Sequence, residues 1–214
     1  MLKNKKLLAL TSVLILLPVA AGLLLWDALP ERIPNHWNAA GEVDGWTGKA
    51  GAVFVMPLFL LAMHWLCVVI TALDPKNKNQ TTKAMNMVLW IIPVLSLAVN
   101  GMVYATALGI TVRVERLMPV LMGVMFVIIG NYLPKCRRNS TIGIKLPWTL
   151  ESDANWNATH RLAGKLWVAG GIGAAVCGFL PGSVWWLLGI VLIMTAIPVG
   201  YSYWFYKTIE AEKE

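Results

Sequence analysis

The sequence predicts an all-α, polytopic integral membrane protein with six transmembrane helices and both termini cytoplasmic. Three observations predict it. Hydrophobic residues make up 57% of the 214 and charged residues only 14%, whereas soluble domains are about half apolar and a quarter charged. The apolar residues are gathered into runs that reach the roughly 20 residues needed to cross about 30 Å of hydrocarbon. Fourteen of the eighteen Lys and Arg lie at the termini and in the second and fourth inter-span segments, counting Lys165 at the start of the fifth span with the fourth, against four in the first, third and fifth. That asymmetry marks the cytoplasmic side.

The elements follow in order. Lys3, Lys5 and Lys6 precede an apolar run from Leu7 that continues through Gly22 to Trp26. The basic start and Ala20-Ala21 resemble a signal peptide, but the run is long enough to span and reads as the first transmembrane helix. Residues 27–51 are polar and rich in Pro and Gly. Pro30 and Pro34 favour an extended start, and Asn38–Gly41 and Asp44-Gly45 are turn signals, so a small folded-back loop with short extended pieces is expected. Ala52–Leu73 is the second span, Met85–Leu108 the third and Leu117–Leu133 the fourth. Leu162–Leu180 and Val184–Tyr206 are the fifth and sixth. Only Pro181-Gly182-Ser183 separates these last two, which predicts antiparallel neighbours.

The net charge of +7 lies beside apolar spans, so it points to topology and anionic headgroups rather than to direct nucleic-acid binding. Cys67, Cys136 and Cys177 form no Cys-x-x-Cys pair, so neither a disulfide framework nor a zinc site follows. No His-Glu-x-x-His, no Gly-x-Ser-x-Gly, no phosphate-binding glycine loop and no pair of carboxylates within a span is present. Thr159-His160 could be drawn as nucleophile and base, but adjacent helical residues diverge by about 100°. The chain is read as a non-enzyme without cofactor or metal.

Three places carry candidate functional residues. The outer loop offers His36, Glu42 and Asp44, whose expected role is hydrogen bonding within a folded loop, with Trp26, Trp37 and Trp46 as an outer interfacial belt. His64, Asn100 and Asn131 are the polar residues within spans and are expected to join helices. The longest polar break, residues 134–161, holds five basic residues with Trp148, Trp156 and His160. Trp148, Trp156 and Trp204 read as an inner belt. Ser152 is a good N-cap for a helix that runs unbroken into the fifth span and places Trp156, His160, Ala163 and Trp167 on one face. From the residues alone this segment is a basic interfacial loop that fixes topology, with a folded site as the alternative. On the fifth span, Gly170 to Ala174 has small-xxx-small spacing, which predicts close packing within the chain.

Two passages carry a resemblance. Ile33-Pro34-Asn35-His36-Trp37-Asn38, followed by Gly41-Glu42-Val43-Asp44-Gly45-Trp46, resembles an uncharacterised N-terminal module of bacterial membrane proteins. Gly130-Asn131-Tyr132-Leu133-Pro134-Lys135, Asn139, Ile142-Gly143-Ile144, Pro147-Trp148-Thr149-Leu150, Trp156, Thr159-His160 and Gly164-Lys165 resemble the SdpI family, bacterial immunity proteins against a secreted toxic peptide. Lys145 stands where that pattern has an arginine, so charge is kept but a planar fork of donors is not.

The resemblance implies a six-span protein of the bacterial plasma membrane. Residues 1–83 form a two-helix module with an extracytoplasmic loop at 27–51. Residues 84–214 form a four-helix SdpI-like module with a cytoplasmic loop at 134–161. Its implied partners are a secreted toxin peptide, the lipid bilayer and, in a signalling role, a cytoplasmic helix-turn-helix repressor held at the membrane. The implied functional residues are Asn131, Asn139, Lys145, Pro147, Trp148, Thr149, Trp156, Thr159 and His160, with His36, Trp37, Asp44 and Trp46 outside. A small transporter or an unrelated membrane sensor is the alternative, and a membrane-embedded enzyme is less favoured.

Overall fold

The computed structural model describes residues 4–75 and 82–210. The basic residues Lys3, Lys76, Lys78 and Lys213, which entered the topology argument, lie outside the described residues. Among the described residues, five helices are long and apolar enough to cross a membrane: Lys5–Leu24, Gly51–Leu73, Met85–Ala107, Val114–Lys135 and Ser183–Thr208. The chain is thus a multi-pass, helical membrane protein. Most of the expected fifth span, Leu162–Leu180, lies in a sixth long helix, Asp153–Cys177. It falls outside this apolar class because its first turns carry Asp153, His160, Arg161 and Lys165 and its middle is rich in glycine.

The chain divides into two compact units, one of residues 1–73 with 85–114, the other of residues 74–84 with 115–214. The first unit begins with α1 (Lys5–Leu24), whose N-cap Asn4 accepts a hydrogen bond from the Leu7 N–H at 3.1 Å. The segment after α1 is not helical. Strands β1 (Arg32–Trp37) and β2 (Val43–Gly48) form an antiparallel hairpin with irregular register between Pro34 and Trp37. Asn38 closes its turn by accepting from the Ala40 and Glu42 N–H groups, and Gly41 takes φ +81°. The extended pieces expected here are therefore a paired β-ribbon, an exception to an all-α chain.

A π-helical turn (Gly51–Val55) leads into α2 (Met56–Leu73), and α3 (Thr82–Ala107) follows. Ile33 of β1 is fully buried with Leu29, Ala52, Val53, Val103 and Tyr104, so the hairpin shares its core with the helix ends. Polar ties join the helices. Thr11 donates to the Leu8 carbonyl, which leaves its oxygen to accept from His64 Nε2 at 3.2 Å, linking α1 to α2. Ser96 and Tyr104 of α3 donate to the Ile15 and Pro18 carbonyls of α1, each at 3.0 Å.

The second unit contains α4 (Val114–Tyr132), a 3-10 turn (Leu133–Lys135), α5 (Pro147–Glu151), α6 (Asp153–Cys177) and α7 (Ser183–Phe205). Two faces of α6 are cut by glycine. A Cβ on Gly123 of α4 would lie 2.4 Å from the Gly171 carbonyl oxygen, and one on Gly164 would lie 2.8 Å from that of Gly130. The α4 and α6 backbones approach at points seven residues apart on each helix, as small residues permit in a bilayer. The other face, with Gly170 and Gly173, lies against Ile190 and Met194 of α7. Gly182, at φ +67°, turns the chain between α6 and α7.

Candidate functional site

Residues 136–152 do not lie loosely at the interface. They fold against the start of α6 and the end of α7, and buried polar side chains hold them. Asn139 is fully buried. Its Oδ1 accepts from the Thr141 N–H at 2.8 Å, the Ile142 N–H at 2.6 Å and the Thr141 hydroxyl at 3.1 Å. Its Nδ2 donates to the Arg137 and Ile142 carbonyls, both at 2.8 Å. Asn favours such local turns because its amide bonds nearby backbone groups.

Thr149 is equally buried and does the same one turn later. It accepts from the Leu146 N–H at 2.9 Å, and its hydroxyl lies 2.9 Å from the carbonyls of Ile144 and Leu146. Pro147, at the first position of α5, fixes the backbone angle that starts that short helix.

Trp156 and His160 form the centre. Both are buried, at 0% and 1% exposure, one helical turn apart on α6, and their rings stack at 4.0 Å. The Trp156 indole N–H donates to the Cys136 carbonyl at 2.9 Å. His160 Nε2 faces the Ile144 N–H at 3.0 Å, and Nδ1 faces the Trp156 carbonyl at 2.8 Å. A backbone N–H can only donate and a carbonyl can only accept. The ring is therefore neutral, with its proton on Nδ1. Burial lowers its pKa below the ordinary histidine range, and the Trp156 carbonyl opposes this in part. Gly143 completes the centre at φ +118°, where an added Cβ would lie 2.4 Å from His160 Nε2. Burial pushes the Cys136 thiol up to about 11, and its Sγ lies 3.5 Å from the Tyr132 carbonyl oxygen.

Further ties fix the loop edges. Trp148 donates from its indole to Ser202 Oγ at 3.0 Å, stacks with Tyr206 and meets Tyr203 edge-on. Asn155, fully buried, donates to the Ser202 carbonyl at 3.0 Å and accepts from Thr159 at 3.0 Å. Ser152 caps α6 by accepting from the Asn155 N–H. Arg138 pairs with Asp153 at 2.6 Å and donates to the Leu150 carbonyl. The buried Asp74 carboxylate accepts from the Ser140 N–H at 2.8 Å.

Residues 135–202, which hold this whole arrangement, match the SdpI/YfhL protein family. The chain resembles the SdpI family, as the loop motif implied. Residues 13–61 match a domain of unknown function, DUF1648. The immunity protein SdpI of Bacillus subtilis strain 168 is 26% identical over 204 residues, covering 94% of this chain and 96% of that protein. No solved structure matches.

Within the SdpI-like segment the structure gathers Asn139, Thr149, Trp156, Thr159 and His160 into one buried network, with Trp148 at its rim. Lys145 and Pro147 face outward. Two expectations are corrected. Trp156 does not sit in an interfacial belt, because its N–H has a buried carbonyl to satisfy. Asn100 bonds only Ser96 of its own helix, and Asn131 joins no other helix, among the described residues. Asn131 is exposed at the end of α4, with Lys135 Nζ 3.5 Å from its Oδ1.

Asp74, Asn155, Ser202 and Arg138 were not among the candidate residues. Asn155 left a trace as the third residue after the Ser152 cap; the others bond to residues distant in sequence. On the SdpI-like protein's other unit, His36 and Asp44 pair across the hairpin at 2.5 Å and are solvent-exposed. Trp37 is half-buried near Ile33, while Trp46 is 50% exposed.

Proposed function

We infer that this chain is a membrane immunity protein that protects a bacterial cell from a secreted membrane-active peptide. The observation that carries this reading is the likeness, over 94% of the chain, to a protein named as an immunity protein. In this reading α6 from Leu162 onward belongs to the fifth of six spans and both termini are cytoplasmic, in the bacterial plasma membrane. The basic asymmetry supports that orientation. Residues 1–83 and 84–214 are then an outer-sensing module and an SdpI-like module.

The hairpin, with His36, Trp37, Asp44 and Trp46, meets the peptide outside. The loop at 134–161 faces the cytoplasm. Its buried side chains make it rigid, and its outward residues Lys145, Pro147 and Trp148 present a fixed surface to a helix-turn-helix repressor, whose recruitment couples protection to signalling. A rigid surface binds with less ordering cost than a mobile one.

The test is survival. A sensitive bacterium expressing this protein is challenged with the family's secreted toxic peptide. Protection at confirmed membrane abundance is expected, and unchanged killing overturns the reading.

A further inference from the structure

The first unit contains a cleft of about 330 Å³ between the hairpin and the facing sides of α2 and α3. That volume lies at the small end of ligand pockets, which run about 300–1,000 Å³. Its walls are apolar, from Val55, Phe59 and Val99, and Asn35 and Thr47 of the two strands stand at it. Asn100 also lines it and is only 1% exposed. The Asn100 Nδ2 donates to the Ser96 carbonyl at 2.8 Å, with Ser96 Oγ at 3.5 Å. Among the described residues, its Oδ1 accepts nothing.

A buried amide oxygen without a donor is destabilising, because it has given up its hydrogen bonds to water. A bound group that brings an N–H or O–H into an apolar cleft removes that cost. Asn100 lies seven residues before the Ala107 end of α3, or about 10 Å along the axis at 1.5 Å per residue. Lipid acyl chains carry no donor at such depth. A peptide does, on its backbone or on an indole.

We propose that this cleft receives a segment of an apolar peptide, one large side chain against Val55, Phe59 and Val99 and one N–H on Asn100 Oδ1. The proposal rests on the immunity reading and names the site that reading lacks. Strand residues Asn35 and Thr47 at the cleft give the hairpin a physical task, which is to close over the bound segment.

The experiment uses the full chain in nanodiscs of phosphatidylethanolamine and phosphatidylglycerol. The probe is a fluorescently labelled synthetic copy of the toxic peptide used in the survival test. Val99→Trp fills the cleft and Asn100→Leu removes the acceptor. Each is expected to weaken binding about tenfold or more, the scale of one lost buried contact. Val94→Trp, on an exposed part of α3 outside the cleft, is expected to bind as the unmodified protein does.

Unmodified affinity in both Val99→Trp and Asn100→Leu overturns the cleft while leaving immunity intact. Equal loss in Val94→Trp also overturns it. An unmodified protein that neither binds nor protects removes the immunity reading and the cleft together.

Discussion

At the scale of single residues, the 136–152 loop depends on groups that accept no substitute. Gly143 is held at φ +118° with its α-carbon against the His160 ring. Gly143→Ala combines a left-handed strain of about 1–2 kcal/mol with a clash that pushes His160 off the Ile144 N–H. Cleavage of residues 136–152 by a protease added to inside-out vesicles is expected to accelerate several-fold. His160 sets the loop's response to acid. Its folded pKa lies below its unfolded value, so its contribution is complete above the unfolded pKa of about 6.5. That contribution is lost as pH falls through the window beneath it, because only the opened loop takes up the proton. Thermal unfolding in detergent is expected to show a larger drop between pH 7.5 and 5 in the wild type than in His160→Gln.

At the scale of elements, α6 is built to be approached from two sides. Gly171 meets the α4 backbone at 2.6 Å from an added Cβ, while Gly173 meets only an Ile190 methyl at 3.5 Å. Gly171→Val is expected to lower the unfolding temperature by several degrees and Gly173→Ala to leave it nearly unchanged, the backbone contact being unable to yield. The spacing of small residues on this helix was legible in the sequence, as were the Ser152 cap and the run of α6 into the apolar segment. The division of labour between its two glycine faces was not, because it depends on where α4 and α7 lie.

The same holds for the loop. The motif residues Asn139, Thr149, Trp156 and His160 could be picked out, and periodicity put Trp156 and His160 on one face. That the two rings stack inside the fold rather than at the lipid surface depended on the Cys136 carbonyl and the Ile144 N–H. These backbone groups have no signature in sequence. Asp74 and Ser202 escaped for the same reason, since the partners Ser140, Trp148 and Asn155 lie more than forty-five residues away.

At the scale of the whole molecule, the account requires the hairpin and the inner loop to lie on opposite sides of the membrane. Single cysteines at Glu42 and Glu151, in a background lacking the native three, are expected to differ toward an impermeant thiol reagent. Glu42→Cys labels in intact cells and Glu151→Cys only after lysis; the reverse pattern contradicts the orientation. The central claim is that protection depends on a folded inner site and not on charge alone. Survival under toxin challenge, at matched membrane abundance, tests it most directly. The account predicts that cells carrying the wild type or Lys145→Arg survive while those carrying Trp148→Ala or His160→Ala are killed. Full survival with both alanine variants contradicts it and reduces the loop to a topological anchor.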